Sequence, residues 1–313
     1  MAAKWAAKDI PDQSGRVVIV TGANSGLGLV DARELARAGA TVILAVRDLK
    51  KGDHAIASIL RELPHPLVEL RQLDLADLAS VRTFVEVFDS DHDRLDILIN
   101  NAGIMAPPRR LTKDGFERQF GVNHLGHFAL TGLLLPRLLA APEPRVVTES
   151  SGLHRRGTMN FDDLQGERSY DRWGAYGQSK LANLMFAFEL QRRATASGSN
   201  LKSMAAHPGY AATNLQFAGP TRFYERAFMW VGNHLFAQSA EMGALPTLYA
   251  ATVPDLPGGT YVGPDGRAEG RGHPKIVTAA GKAYDEDAQR RLWEVSEELT
   301  GVHYEFATPA AAA

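Results

Sequence analysis

Residues 16–28 read Arg16-Val-Val-Ile-Val-Thr-Gly-Ala-Asn-Ser-Gly-Leu-Gly28. The β-branched run Arg16–Thr21 predicts a short buried strand, and the glycine-rich turn after it leads into Leu27–Ala38, where apolar residues recur at helical spacing. This segment therefore predicts a strand, a tight turn and a helix in succession, which is the repeating unit of an α/β fold.

The same pattern recurs along the chain. Further strand-like runs are Thr41–Ala45, Val68–Leu73, Leu95–Asn100, Arg145–Thr148 and Leu201–Ala206, and helix-length segments lie near Leu49–Leu63, Ala79–Asp91, Gly115–Leu139 and Gly174–Ala196. Such alternation implies parallel strands joined by right-handed helical crossovers. We therefore predict an α/β fold: a single-domain Rossmann-type, doubly wound parallel sheet with helices on both faces. Ligands bind such sheets at the carboxyl ends of the strands.

The predicted domain covers residues 14–302, with an N-terminal extension at 1–13 and a C-terminal tail at 303–313. After Pro208 the alternation loosens into residues 210–238, and a helix is predicted near Ala240–Thr252. The loosened segment is apolar and aromatic, so we expect it to be either a lid over a binding site or an ordinary core or subunit contact. Its large side chains include Phe217, Phe223, Phe228, Met229 and Trp230.

Composition excludes several classes of protein. The 313 residues include 34 basic and 36 acidic side chains, for a net charge of −2, so there is no positive excess to bind nucleic acid. There is no cysteine, which excludes disulfides, thiolate nucleophiles and cysteine-ligated zinc. Residues 1–15 carry charges and no apolar block, and no later segment is typical of a membrane span. We expect a cytoplasmic protein without a membrane span.

Three glycines, Gly22, Gly26 and Gly28, lie between the first strand and the first helix. Backbone amides and the dipole of a helix N-terminus suit a pyrophosphate at such a turn, and glycines let the phosphates approach. The alternative is that the glycines only permit tight packing.

Tyr176 and Lys180 are four residues apart in a predicted helix, so they share a face. An ammonium group beside a phenol favours the phenolate, and we therefore expect Lys180 to lower the pKa of Tyr176 and to make it a proton donor near neutral pH. The alternative is an ordinary surface pair.

Polar side chains follow two further strands, as Asn100–Gly103 and as Ser150–Ser151. Both segments fall at the predicted ligand-binding edge, although such residues are also common wherever a strand meets a loop. Four histidines, His124, His127, His154 and His207, are scattered without the spacing of a metal site, and no metal is predicted.

In combination these motifs resemble the short-chain dehydrogenase/reductase family. Thr21–Gly28 is similar to its TGxxxGxG motif, Asn100–Gly103 to NNAG, Tyr176–Lys180 to YxxxK and His207–Gly209 to its PG turn. Within that family, residues 121–128 and 176–183 are most similar to the retinol dehydrogenase and protochlorophyllide reductase branch. The resemblance spans about residues 14–300.

The resemblance implies four catalytic residues. Tyr176 would exchange a proton with the alcohol or alkoxide oxygen, and Ser151 would polarise the carbonyl. Lys180 would bind the nicotinamide ribose and lower the pKa of Tyr176, and Asn123 would hold a water that links Lys180 to solvent.

The resemblance also implies a nicotinamide dinucleotide and the residues that bind it. The expected contacts are Gly22, Asn24, Ser25, Gly26, Leu27, Gly28, Arg47, Asp74, Leu75, Asn101, Ala102, Gly103, Tyr176, Lys180, Pro208, Gly209 and Thr213. Arg47 follows the second strand, where a guanidinium would accept the 2′-phosphate of NADP, so NADP(H) is favoured over NAD(H). Asp48 leaves NAD open.

Glu149 departs from the family pattern, which has a small or apolar residue before the serine pair. We expect its carboxylate to be solvated at the strand end, and the alternative is that it perturbs the pKa of nearby groups.

The predicted function is interconversion of an alcohol and a ketone or aldehyde on a hydrophobic small molecule. The alternatives are reduction of an enone C=C bond, and a non-catalytic protein that senses NADP(H). A homo-oligomer is possible.

Overall fold

The computed structural model describes residues 4–210 and 238–306. Its strands form one sheet in the order β3-β2-β1-β4-β5-β6-β7-β8. The strands are β1 (Val17–Thr21), β2 (Thr41–Val46), β3 (Val68–Gln72), β4 (Ile97–Asn100), β5 (Arg145–Glu149), β6 (Lys202–Ala206), β7 (Tyr261–Pro264) and β8 (Pro274–Ile276). The expected lid over 210–238 lies outside the described residues except for its two end positions, and the expected cofactor residue Thr213 lies outside them as well.

Helices connect the strands. Within the described ranges they are α1 (Gly26–Arg37), α2 (Leu49–Glu62), α3 (Leu78–Asp91), α4 (Arg118–Phe120), α5 (Gly126–Leu133), α6 (Leu135–Leu139), α7 (Arg172–Ala196), α8 (Ala240–Thr252) and α9 (Glu286–Thr300). A π-helical turn, Gly121–Leu125, joins α4 to α5, and single 3-10 turns occur at Ala7–Asp9, Gly152–Arg155, Arg267–Glu269 and Gly281–Tyr284.

The two faces of the sheet are covered by different helices. Val18 and Val20 of β1 pack among α1, α2 and α8, whereas Ile19 between them packs among α3, α5, α7 and α9. Successive side chains of a strand point to opposite faces, so a strand buried on both sides is apolar throughout. The predicted doubly wound sheet with helices on both faces is confirmed.

The far edge of the sheet differs from the all-parallel prediction. The strands from β3 to β7 in the sheet order pair in parallel, but β8 pairs antiparallel with β7, with Val262 opposite Ile276. The link between β7 and β8 is too short for a helical crossover, so the chain turns back on itself.

The single helix expected over Gly115–Leu139 is divided. Gly115 has a left-handed φ of +89° and stays outside the helix, which begins at Arg118. The hydrogen-bonding pattern then widens to a π-turn at Gly121–Leu125, and a new helix with proline in its first turn begins at Leu135. Proline is favoured there because it lacks the amide that a helix interior needs.

Both described ends of the chain pack on the core. The ring of Trp5, in the expected N-terminal extension, meets Tyr249 of α8 edge-on with centroids 5.3 Å apart. At the other end, the Tyr304 hydroxyl donates a 2.6 Å hydrogen bond to the carbonyl of Phe128. Residues on each side of the predicted domain boundaries thus contribute to its packing.

A buried arginine closes the C-terminus of α8. The Arg145 guanidinium donates to the carbonyls of Ala250, Val253 and Pro254 at 3.2, 2.7 and 2.9 Å, respectively. Residue 254 is a proline, so the Ala250 carbonyl has no amide partner four residues on. Arg145 therefore satisfies the buried Ala250 carbonyl, which the helix end would otherwise leave without a donor. It shares the Val253 carbonyl with the Leu256 amide and the Pro254 carbonyl with Lys202.

We expect Arg145→Leu to lower the free energy of unfolding by about 2–4 kcal/mol, because it removes three charged hydrogen bonds and leaves the buried Ala250 carbonyl unpaired. Urea unfolding measures this loss. Arg61→Leu, at an exposed position of α2, is the matched control and should change stability by less than about 0.5 kcal/mol. Equal effects of the two substitutions would contradict the structural role of Arg145.

Candidate active site

A cleft of about 760 Å³ opens at the carboxyl ends of the parallel strands. Most of the residues expected to bind a cofactor line it, and so does Ser151. They are Gly22, Asn24, Ser25, Gly26, Leu27, Arg47, Asp74, Leu75, Asn101, Ala102, Gly103, Tyr176, Lys180, Pro208 and Gly209. Gly28 and Asn123 lie behind this wall. Residues from six strand ends therefore converge on one cavity, as the topology requires.

The turn after β1 presents backbone amides to the cleft. Gly22 and Gly26 have left-handed φ angles of +69° and +60°, which side chains other than glycine rarely adopt. Ser25 precedes α1, but its side chain makes no capping hydrogen bond. The amides of the first turn of α1 are therefore left to a ligand, and an anionic pyrophosphate fits that donor set.

A second turn is fastened to the first. The Asn101 side chain donates to the Thr21 carbonyl at 2.7 Å, and the amides of Asn101 and Ala102 donate to the Thr21 hydroxyl at 3.0 and 2.9 Å. A β-carbon on Gly28 would lie 2.4 Å from the Asn101 side-chain nitrogen. Gly28 therefore serves this packing, and its expected contact with a cofactor stays a prediction.

Arg47 and Asp48 have different roles. Arg47 lines the cleft and is exposed, and it forms no salt bridge with any carboxylate of the described residues. Asp48 caps α2, since its carboxylate accepts a 3.2 Å hydrogen bond from the Lys51 amide. The carboxylate that could bind a ribose is thus engaged elsewhere, and the guanidinium is available to an anion.

Ser151 and Tyr176 both line the cleft, close enough for the serine hydroxyl to lower the pKa of the phenol. Ser150, its neighbour, instead donates a 2.8 Å hydrogen bond to the carbonyl of Lys180 and ties α7 to the end of β5. Of the two serines, Ser151 therefore has the position that suits a reacting oxygen.

The pKa of Tyr176 differs from the sequence-based expectation. Burial raises it to about 12, the hydrogen bond with Ser151 opposes this rise, and Glu149 adds to it. The Lys180 ammonium lies 5.9 Å from the centre of the tyrosine ring, and it does not offset the desolvation. The expected lowering of the pKa is wrong, and the phenol keeps its proton at neutral pH.

Lys180 is held by the backbone of β5. Its ammonium donates a 3.0 Å hydrogen bond to the Glu149 carbonyl, which also accepts one of 2.8 Å from Asn183. Burial lowers the pKa of Lys180 to about 8, while the charge of Glu149 opposes that change. The side chain is positioned at the cleft by one fixed carbonyl.

Asn123 lies in the π-turn and fastens the loop after β4. Its side-chain oxygen accepts from the Ile104 amide at 2.8 Å, and its nitrogen donates to the Ile104 carbonyl and to Ser179 at 3.0 and 2.9 Å. The same oxygen would lie 3.3 Å from a β-carbon on Gly103. Asn123 is thus a positioning residue in this structure, and its role in a proton relay stays a prediction.

Glu149 is buried, so the expectation that it is solvated is wrong. Only 3% of its surface is exposed, because its side chain points toward α8, where the Thr247 hydroxyl donates a hydrogen bond to its carboxylate. Burial raises the pKa of Glu149 to about 7, and both Thr247 and Lys180 oppose this rise. The alternative stated above, that Glu149 perturbs neighbouring groups, agrees with its effect on Tyr176.

The four histidines have separate structural roles. His127 bonds with the Thr21 hydroxyl at 2.9 Å, His124 with Ser296 at 2.9 Å, and His154 accepts from the Ala280 amide at 3.0 Å. His207 lies 3.2 Å from a carboxylate oxygen of Glu269 at the cleft wall. Residues 4–210 and 238–306 contain no group of three or more potential ligands that could hold a metal ion.

Sequence reasoning missed a second set of residues that line the cleft. These residues are Ile104, Met105, Arg118, Val122, Leu153, Arg155, Trp173, Tyr210, Ala268, Glu269 and Gly270. Most come from loops and helix starts that carry no motif, and only the folded chain shows that they meet. Val122 lies in the 121–128 run and Tyr210 at the start of the expected lid, but neither was expected at the site. More than half of them are apolar, so they give the cavity an apolar surface.

No helix in the described part of the chain is long and apolar enough to span a membrane.

A cleft with a phosphate-binding turn, a serine–tyrosine pair and a fixed lysine suits a nucleotide-dependent proton and hydride transfer. A short chain dehydrogenase family model matches residues 16–219, and the chain belongs to that family. It is therefore an oxidoreductase that uses a nicotinamide cofactor. Within the family it belongs to the retinol dehydrogenase-like branch.

Two relatives illustrate that placement. Human retinol dehydrogenase 14 is 41% identical over 303 residues, which is 92% of this chain and 87% of the relative. Polyprenol dehydrogenase of Mus musculus is 43% identical over 300 residues, which is 93% of this chain and 86% of the relative.

Solved structures agree with the fold. An uncharacterised protein from Mycobacterium paratuberculosis superposes with a TM-score of 0.81 at 48% identity, covering 97% of this chain and 100% of that one. A protein described as an NAD(P)-dependent gluconate 5-dehydrogenase from Beutenbergia cavernae, with bound NADP at low occupancy, has a TM-score of 0.61 at 26% identity. It covers 77% of this chain and 91% of its own.

Proposed function

We propose that this oxidoreductase uses NADP(H) to interconvert an alcohol with a ketone or aldehyde on a hydrophobic small molecule. The observation that carries the proposal is the meeting of Ser151, Tyr176 and Lys180 in the same cleft as the uncapped, glycine-rich turn before α1. The proton donor then acts on a substrate that is bound next to the cofactor held by the phosphate-binding turn.

The residues present fit a dinucleotide. The amides at the start of α1 suit the pyrophosphate, and Asp74, Leu75 and Ala102 line the part of the cleft where we place the adenosine. Arg47, with no carboxylate partner among the described residues, would bind the 2′-phosphate by its guanidinium fork. The related structure from Beutenbergia cavernae contains bound NADP, which supports the same choice.

When bound, the nicotinamide supplies or accepts the hydride. In the reductive direction Ser151 donates a hydrogen bond to the carbonyl oxygen, and Tyr176 gives its proton to that oxygen as negative charge develops there. The raised pKa of Tyr176 keeps this proton in place at neutral pH. Lys180, held by the Glu149 carbonyl, keeps a positive charge near the phenolate that results.

The apolar residues of the cleft support an apolar substrate. Met105, Val122, Leu153 and Trp173 line the cleft, and burial of apolar surface is the main driving force for binding such molecules. Two relatives are named for retinol and polyprenol, which are apolar alcohols. The particular substrate of this chain is to be found with a panel of apolar aldehydes, ketones and enones.

We expect Tyr176→Phe to reduce turnover by about 10²–10⁴-fold, because it removes the proton donor, with NADPH affinity retained within about threefold. Turnover is measured by NADPH oxidation with whichever panel substrate the unmodified protein reduces. Tyr249→Phe, on α8 away from the cleft, is the matched control and should keep normal rates. Undiminished turnover by Tyr176→Phe would refute the assignment.

Arg47→Ala should weaken NADPH binding by about 1.5–3 kcal/mol, the range for hydrogen bonds to a charged group, and should leave NADH binding nearly unchanged. Titration of nicotinamide fluorescence measures both affinities. Lys50→Ala removes a neighbouring exposed cation outside the cleft and should alter neither. Equal weakening of NADPH and NADH by Arg47→Ala would show that the 2′-phosphate is bound elsewhere.

The alternatives remain distinguishable in the same assays. Turnover of enones without turnover of carbonyls would identify a C=C reductase, and cofactor binding without any turnover would favour a sensor. A cytoplasmic location and a possible homo-oligomer stay predictions, to be tested by fractionation and by light scattering.

A further inference from the structure

Two carboxylic acids are buried beside the cleft, on the sheet face covered by α1 and α8. Asp31 of α1 is 0% exposed and Glu149 of β5 is 3% exposed, and the charge of Glu149 acts on Asp31. Thr247 of α8 completes the group through its hydrogen bond to Glu149. The proposed proton transfer at Tyr176 uses neither carboxyl group, so their presence calls for another role.

Asp31 is a buried carboxyl group that keeps its proton. Neither of its carboxylate oxygens has a hydrogen-bond partner within the described residues. Burial raises its pKa well above the usual range, and the negative charge of Glu149 raises it further. An uncompensated carboxylate is too costly to bury, so Asp31 stays neutral through the physiological range.

Glu149 occupies a different environment, because it also lines the cleft. Its carboxylate accepts the hydrogen bond from Thr247, and its backbone carbonyl holds Lys180. Both contacts favour ionisation relative to Asp31, and its pKa of about 7 puts the change of charge within the working range of an enzyme. Glu149 is thus protonated below about neutral pH and negative above it.

The groups that act on Glu149 come from every element around it. Lys180 and Tyr176 approach from α7, Asp31 from α1 and Tyr261 from β7, whereas Thr247 of α8 is uncharged. Glu269 lies at the same cleft wall, 3.2 Å from His207, and its hydrogen bond with His207 and the charge of Arg155 lower the pKa of its carboxyl.

We propose that Glu149 sets the charge of the cleft: its ionised carboxylate favours the oxidised, cationic nicotinamide over the neutral, reduced one, while Asp31 beside it keeps its proton. This inference rests on the proposed NADP(H) cofactor. It follows from Coulomb attraction in a poorly solvated wall, where a fixed negative charge discriminates between two ligands that differ mainly by one positive charge. Alkaline pH would then bias the protein toward binding NADP⁺ and toward alcohol oxidation.

The direct test is the ratio of the dissociation constants for NADP⁺ and NADPH between about pH 5.5 and about pH 9. The 2′-phosphate and its protein contacts are common to both cofactors, so their titration cancels in the ratio. As the pH rises through about 7, we expect NADP⁺ to gain about tenfold relative to NADPH. Deprotonation of Lys180 adds a second gain at higher pH, because that loss also favours a cationic ligand.

Three nearly isosteric variants separate the groups. Glu149→Gln should remove the gain near neutral pH while NADPH still binds within about threefold of normal. Asp31→Asn should keep the gain, since the residue it replaces is already neutral. Thr247→Val leaves the carboxyl in place but removes the hydrogen bond that lowers its pKa, so the midpoint should move to higher pH.

A Glu149→Gln protein with the normal pH dependence would overturn the proposal. So would a gain that Asp31→Asn abolishes, because the titrating group would then be Asp31. If Glu149→Gln does not fold, as judged by circular dichroism, an unmoved midpoint in Thr247→Val is the overturning result. Failure of the unmodified protein to bind either cofactor would instead refute the proposed function, so the two failures are distinct.

Discussion

The hydrogen bond from the Asn101 side chain to the Thr21 carbonyl, 2.7 Å long, joins the two turns on which the cleft is built. Thr21 ends β1 and Asn101 follows β4, and these strands are neighbours in the sheet. Their turns must lie close together to form one wall, and Gly28 permits this because any side chain there would collide with Asn101. This hydrogen bond fixes the glycine-rich turn, and α1 begins within that turn. The N-terminus of α1 therefore faces the cleft, where its amides can bind a ligand.

A comparable joint fixes the chemical groups on the other side. The Glu149 carbonyl binds the Lys180 ammonium and the Asn183 amide, while Ser150 binds the carbonyl of Lys180. These contacts set α7 against the end of β5, so that Tyr176 meets Ser151. The positions of the Ser151 and Tyr176 hydroxyls therefore depend on hydrogen bonds to backbone atoms. Substitutions of exposed residues leave those backbone atoms in position.

The sequence was sufficient for the features that repeat or that follow a motif. Alternating strands and helices predicted the sheet, and the glycine turn and Tyr176–Lys180 predicted residues that do line one cleft. It was insufficient where the outcome depends on long-range burial. The pKa of Tyr176 is raised because the phenol is desolvated, and Glu149 is buried because α8 covers the strand end, neither of which local spacing encodes. The antiparallel strand β8 was likewise not predicted, because it is joined to β7 by a short loop and neither strand carries a clear strand pattern in the sequence.

The central claim is that this cleft binds NADP(H), with Arg47 selecting the 2′-phosphate. The most direct measurement is titration of the unmodified protein with NADPH and with NADH separately, followed by nicotinamide fluorescence. The account predicts that NADPH binds more tightly by about ten- to a hundredfold, as expected for one charged hydrogen-bonded group. Equal or tighter binding of NADH, or binding of neither, would contradict it.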